Sequence, residues 1–270
     1  ILRDIFPEWT LDLGILKKNL IYYFFKIVAK YQYSVANIIG VQTSSNLKYL
    51  ENWSKKPNRK LEVLNNWLSF LNEKKTRISL VNTHLYQRKL FVYVGNMGIA
   101  QGMNIFIDLA ESLNNRQDLG FIFIGRGSEV DNLKNLSAKK KLNNILFFEE
   151  IDPEEIPSLL KMCHVGLIAL DPRHKSHNIP GKFLTYLHAG LPVLARVNSG
   201  TDLQNLIENE KIGIVYGGGV VNDFRILAER LIDDEVNFKA MSNRSHSLSR
   251  RMFSTNNITN QIITSLLNYR

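Results

Sequence analysis

One cysteine, Cys163, stands among 270 residues, so no internal disulfide can form and a reducing compartment is the simpler setting. It falls on an apolar helical stretch, where a buried structural thiol is the default. No apolar run approaches the ~18 residues of a membrane span. The greasiest stretch, LIYYFFKIVA, is short and holds Lys26. No internal repeat and no low-complexity tract is present. Neither a Ser-His-Asp nor a Cys-His arrangement is legible, which leaves nucleophilic triad chemistry without residues. The acids Glu149, Glu150 and Asp152 have no His or Cys at ligand spacing, and acids are common at helix starts, so no metal is expected there. His174 and His177, three apart, lack a third ligand.

What is present is a folded-protein composition, 44% hydrophobic and 22% charged, with room for one large or two modest domains. The net charge of +9 is unevenly placed. Residues 1–88 hold 14 Lys and Arg against 6 Asp and Glu, a balance of +8, and the rest of the chain is nearly neutral. A positive first third suits an anionic partner: a membrane surface, a nucleic acid or a pyrophosphate. Ordinary solubility is the competing account.

The chain begins at Ile1, and RDIFPEW is aromatic and apolar like material from a domain interior. The front of a domain is therefore expected to be missing. Residues 16–31 read as an amphipathic helix rich in aromatics and lysine. VANIIGVQT reads as a strand, and SSNLKYLENW as a helix capped by Ser44 or Ser45. RKLEVLNNW gives another short strand, and 66–88 look like a linker. From Lys89 a regular alternation begins: strands at KLFVYV, FIFIG, NILFF, VGLIAL, PVLARV and IGIVY, with helical stretches between them. The strands are continuous apolar runs, as expected when both sheet faces are covered. Strand–helix alternation at this spacing predicts an α/β fold with a doubly wound parallel sheet. A last amphipathic helix closes the chain. The expected division is 1–88, 89–250 and a C-terminal helix in 251–270 that packs back toward the first part.

In such sheets ligands bind beyond the carboxyl ends of the strands. After KLFVYV comes GNMGIAQG, in which Gly95 and Gly98 let backbone approach a ligand. After FIFIG comes Arg126, beside Gly125, an arginine able to meet a phosphate. After VGLIAL comes DPRHKSHNIPGKF, a basic loop carrying Arg173 and Lys175. There Pro180 suits the first helical position, Gly181 leaves room, and Lys182 adds a point charge at a helix start. This stretch reads as an anion cradle. A solvated helix lysine is the plainer alternative.

Taken in order, GNMGIAQG, GRGSE, IDPEEIPSLLKMCHVGLIAL and IPGKFLTYLHAGLPVLA resemble the C-terminal lobe of family 4 retaining glycosyltransferases of GT-B fold. The resemblance is nearest to bacterial O-antigen and capsule enzymes of the N-acetyl-L-fucosaminyltransferase type. It implies a complete C-terminal Rossmann-like domain plus the remainder of an N-terminal, acceptor-side lobe. It implies transfer with retention from a UDP-sugar to a polyprenyl-diphosphate-linked acceptor, without a metal or other cofactor and without nucleic acid. It also implies a cytoplasmic enzyme peripheral to the inner face of the bacterial cytoplasmic membrane. By position, Gly95, Asn96 and Gly98 would face the donor diphosphate, with Gly125 and Arg126 beside them. Ile151 and Asp152 would border the base. Asn178, Ile179, Pro180, Gly181, Lys182 and Thr185 would hold the diphosphate and sugar, Lys182 stabilising the leaving charge.

The chain departs from the family pattern. His177 and Thr185 stand where many members carry two glutamates, and Asn96 and Gln101 where many carry Arg and Lys. The fragment alone is expected to bind donor without turnover. A nucleotide-sugar epimerase of the same architecture would need an acid/base pair, and no convincing pair is visible. A dinucleotide enzyme is disfavoured by the G-x-x-G-x-x-x-G spacing.

Overall fold

The computed structural model describes residues 1–69, 72–171, 173 and 179–269. The first part contains α1 (Glu8–Asp12), α2 (Leu20–Ser34), β1 (Ile38–Val41), a 3-10 turn (Ser44–Leu50), α3 (Glu51–Ser54) and β2 (Lys60–Val63). β1 and β2 pair in parallel, Ile38 opposite Lys60. The expected SSNLKYLENW helix is thus mostly a 3-10 turn, and Thr43, not Ser44 or Ser45, occupies its N-cap.

The second part alternates β3 (Lys89–Val94), α4 (Asn104–Ser112), β4 (Leu119–Ile124), α5 (Val130–Lys139), β5 (Ile145–Phe148), α6 (Ile156–Leu160) and β6 (Val165–Ala169). It continues with α7 (Gly181–His188), β7 (Val193–Arg196), α8 (Asp202–Asn209), β8 (Gly213–Tyr216), α9 (Val221–Asp233) and α10 (Glu235–Met252), and α11 (Thr255–Leu267) follows. Six parallel strands form one sheet in the order β5-β4-β3-β6-β7-β8. The α/β reading with a doubly wound parallel sheet holds.

Alternation along the strands divides the core in two. Phe91, Phe121 and Phe123 face α4, α5 and α9, packing with Phe106, Leu133 and Phe224. Val92, Ile122 and Ile168 face the other way, onto Leu159, Phe183, Leu187 and Leu248 of α6, α7 and α10. Both faces are covered, which is why the strands lack polar alternation. The chain order reverses between β3 and β6, the central pair. The crevice beyond their carboxyl ends is where such sheets bind ligands.

Several local expectations change. The stretch 66–88 forms no helix or regular strand among its described residues, yet Ile78, Leu80 and Leu85 are buried in the main core. It is packed structure rather than a free linker. α4 begins only at Asn104, because Gly102 adopts a left-handed conformation after a short 3-10 turn over Ile99–Gln101. α11 lies against β2: Lys60 Nζ donates to Ser265 Oγ at 2.9 Å, and Gln261 donates to the Val63 carbonyl at 2.7 Å. Cys163 is buried, and desolvation pushes its thiol up to about 12. Among the described residues no helix is long and apolar enough to cross a membrane.

Candidate functional site

The loop after β3 lies against the loop after β4. The Gly95 N–H donates to the Ile124 carbonyl at 2.9 Å, and the Met97 N–H to the Arg126 carbonyl at 2.7 Å. Gly125 has φ +141°, and a Cβ there would lie 2.1 Å from the Gly95 carbonyl oxygen. Only glycine permits both that dihedral and that approach. Within the first loop, the Gln101 side-chain oxygen accepts from the Gly98 N–H at 2.9 Å and from Asn96 Nδ2 at 3.2 Å. The side-chain amides of Asn96 and Gln101 thus clasp the loop to itself.

α7 brings Lys182 to this loop. Its Nζ lies 3.5 Å from the centroid of the Tyr93 ring. A Cβ on Gly95 would stand 3.4 Å from Lys182 Cε. Gly95 has φ +127°, a conformation that favours glycine, and the Lys182 side chain lies in contact range of it. Burial holds the pKa of the Lys182 ammonium down to about 7. The ring face supplies partial compensation for its charge. The Tyr93 hydroxyl is fixed by the Asn96 carbonyl at 2.6 Å, and burial raises its pKa.

One turn along α7, Tyr186 anchors the arrangement. Its buried hydroxyl accepts from the Val94 N–H at 2.9 Å, the last residue of β3. Lys182 and Tyr186 are four apart and share a helix face, so the hydrogen bond that seats one also aims the other. Gly166 makes room for the ring, since a Cβ there would fall 2.4 Å from it. Pro180 is the N-cap rather than the first helical residue, and no side chain caps this end among the described residues. Among the described residues nothing stands within 4 Å of a Cβ placed on Gly181. Thr185 returns its hydroxyl to the Gly181 carbonyl at 3.3 Å.

The remaining expected residues lie around this centre with different roles in the packing. Ile151 and Ile179 are buried in the core. Asp152 accepts from the Glu154 N–H at 3.0 Å and pairs with Lys74 at 3.2 Å, which lowers its pKa. Arg126 is exposed and pairs with Glu150 at 3.3 Å. His174, Lys175, His177 and Asn178 lie outside the described residues. Sequence reasoning missed Asp171 and Arg173 as a unit. Arg173 grips the Asp171 carboxylate with two contacts of 2.8 Å just past β6, and a Cβ on Gly102 would stand 3.4 Å from the Asp171 Cα. Among the described residues no group of three or more His, Cys, Asp or Glu could hold a metal ion.

The chain resembles the probable glycosyltransferase WbjE of Pseudomonas aeruginosa, with 24% identity over 79% of this chain and 54% of that protein. It is also similar to the putative colanic acid biosynthesis glycosyl transferase WcaI of Escherichia coli (strain K12), 27% identical over 45% of this chain and 30% of that one. The chain thus spans about half the length of the first of these relatives, and less of the second. Among solved structures, Anabaena Alr3699/HepE in complex with UDP and glucose superposes with a TM-score of 0.71 at 16% identity, covering 89% of this chain and 66% of that one. Residues 75–249 match the family described as glycosyl transferases group 1, and the chain belongs to that family.

Proposed function

We propose that the chain carries the donor side of a retaining glycosyltransferase. It moves a hexosamine, N-acetyl-L-fucosamine being one fit, from a UDP-sugar to a polyprenyl-diphosphate-linked acceptor in cell-surface polysaccharide synthesis. The reaction calls for no metal ion, and its place is the inner face of the bacterial cytoplasmic membrane. The observation that carries this reading is Lys182: a desolvated ammonium, held over Tyr93 and beside Gly95, at the switch point of the sheet. The colanic acid biosynthesis for which WcaI is named, and the UDP bound to HepE, support polysaccharide chemistry and a uridine donor.

In this reading the bond between the anomeric carbon and the diphosphate oxygen breaks, and the diphosphate departs with the electron pair. The acceptor hydroxyl bonds to the same face of that carbon and yields its proton to the departing diphosphate. Lys182 and the N–H groups at the start of α7 meet the charge that develops. Gly95, Asn96, Gly98 and Gly125 give the diphosphate room, Arg126 contributes at the edge, and Ile151 with Asp152 borders the base. Ile179, Pro180, Gly181 and Thr185 frame the sugar side, together with Asn178.

The test is Lys182→Ala in calorimetry with UDP. The expected loss is about 1–3 kcal/mol, the range of a charge-assisted contact. Unchanged UDP affinity would remove Lys182 from the site and take the reading's main support with it.

A further inference from the structure

The segment that joins the two sheets reaches the loop that the donor reading sets beside the base. Both carboxylate oxygens of Glu73 accept from Lys161 Nζ, at 2.6 and 2.7 Å. Lys74 pairs with Asp152 at 3.2 Å, and its N–H donates to the Glu154 carbonyl at 2.9 Å. The Thr76 N–H donates to Ser158 Oγ at 3.2 Å. Arg77 is held at both ends. Its N–H donates to a Glu155 carboxylate oxygen at 2.7 Å, and its guanidinium donates to the Glu150 carbonyl at 2.8 Å.

The Glu150 carbonyl and the Ile151 N–H belong to one peptide unit. That unit is planar and trans, so the oxygen and the N–H point in opposite directions. A donor fixed on the oxygen therefore sets where the N–H points. The Ile151 side chain is buried in the main core, in one cluster with Ile179, which leaves rotation of the peptide plane as the local freedom. Arg77 removes it. Ile151 lies outside the helices and strands, and among the described residues its N–H donates to no backbone carbonyl. A donor on so buried a residue calls for a partner, and a ligand oxygen would serve. On the other side of Ile151, the Asp152 carboxylate takes Lys74 Nζ and the Glu154 N–H. The joining segment thus grips the residues that flank Ile151 on both sides.

We propose that Arg77 is a positioning residue for base recognition: it orients the Glu150–Ile151 peptide so that the Ile151 N–H meets a carbonyl oxygen of the uracil ring. The distances set this apart from a plain surface ion pair, which contributes little. Arg77 Nε stands 3.9 Å from the Glu155 carboxylate, while a terminal guanidinium nitrogen is at hydrogen-bond distance from the Glu150 carbonyl. Glu155 aims the arginine through its backbone, and only 12% of the Glu155 side chain is exposed. From the loop after β4, Arg126 takes the Glu150 carboxylate at 3.3 Å and steadies the same residue. The inference deepens the UDP-donor reading and rests on it for the identity of the base.

The test is calorimetry of the whole chain with UDP and with inorganic pyrophosphate, which has the two phosphates and no base. Arg77→Met keeps an unbranched stem and removes the donors. It is expected to weaken UDP binding about tenfold, the scale of one hydrogen bond, and to leave pyrophosphate affinity at the wild-type value. A loss through charge alone would weaken the more highly charged pyrophosphate at least as much. Unchanged UDP affinity, or equal losses for the two ligands, overturns the proposal. If Arg77→Met does not fold, Glu155→Ala, which frees the arginine without removing it, is measured in its place, with the same split expected and the same outcomes decisive. Amide exchange at Ile151 separates this inference from the reading beneath it. UDP is expected to slow that exchange in the wild type, pyrophosphate to leave it alone, and Arg77→Met to lose the protection. If UDP leaves Ile151 exchange unchanged in the wild type, the base lies elsewhere, and its placement falls together with this inference. If UDP protects Ile151 equally in the wild type and in Arg77→Met, the placement of the base stands and this inference alone falls.

Discussion

An ammonium held near neutrality by burial takes on full charge only when an anion arrives to meet it. Between about pH 7, where burial holds Lys182, and the higher pKa it would have against a diphosphate, binding must take up a proton. Affinity for UDP is therefore expected to fall as pH rises from 8 to 10, by up to about tenfold per unit. The nucleotide's own phosphate, with a second pKa of about 6, is fully ionised throughout that window. Calorimetry across the range, in buffers of different ionisation enthalpy, should show the uptake directly, and a flat profile would mean that Lys182 is charged before binding. Lys182→Arg should flatten the profile, since guanidinium stays protonated. The position of Lys182 was legible, because Pro-Gly-Lys after an apolar strand is a local pattern. Its neighbour Tyr93 was not, because an aromatic in KLFVYV reads only as core. Nor was the clasp made by Gln101, which depends on a turn whose dihedrals the sequence does not display.

The elements were legible where one apolar period governed them. All six strands of the sheet follow from apolar runs, and α4, α7, α8 and α9 from helical spacing. α10 was missed. Its buried positions, Met241, Ser245, Leu248 and Ser249, do follow helical spacing, but half of them are serine. The helix comes close to the end of α7 at a glycine: a Cβ on Gly190 would stand 2.6 Å from the His246 ring. The sequence signal of such a contact is smallness rather than greasiness. The role of α7 as an arm also depends on Tyr186, which gives the Val94 N–H its partner. Tyr186→Phe leaves that buried donor unpaired and is expected to cost about 1–3 kcal/mol of stability, read from chemical denaturation. UDP affinity should fall as well, because Lys182 shares the helix that the bond seats. A stability loss with unchanged affinity would show that β3 and α7 hold their places without this bond.

At the scale of the molecule, the two sheets have unequal means of support. The six-stranded sheet is packed on both faces, while β1 and β2 form a pair of four-residue strands, a size that is marginal alone. Its small core of Ile39, Val41, Leu50 and Trp53 is supplemented by contacts with distant segments. Ser45 donates from its N–H and its hydroxyl to Asp202 at the start of α8, at 3.1 and 2.9 Å. Across β2, the Ser265 hydroxyl of α11 lies 2.7 Å from both oxygens of Glu62, which also pairs with Lys60 at 3.2 Å. Glu62 is largely enclosed, with 17% of its side chain exposed, so removing it strips Ser265 and Lys60 of a partner inside the contact. Glu62→Ala is expected to loosen the small sheet by about 1–3 kcal/mol, seen as roughly 5- to 150-fold faster amide exchange at Ile39, Val41 and Leu61. Exchange at Phe91, Phe121 and Leu167, in the middle of the large sheet, should stay at the wild-type rate. Equal acceleration in both sheets would show instead that the chain opens as one cooperative unit, and that α11 is a part of the large domain's stability rather than a strap upon the small one.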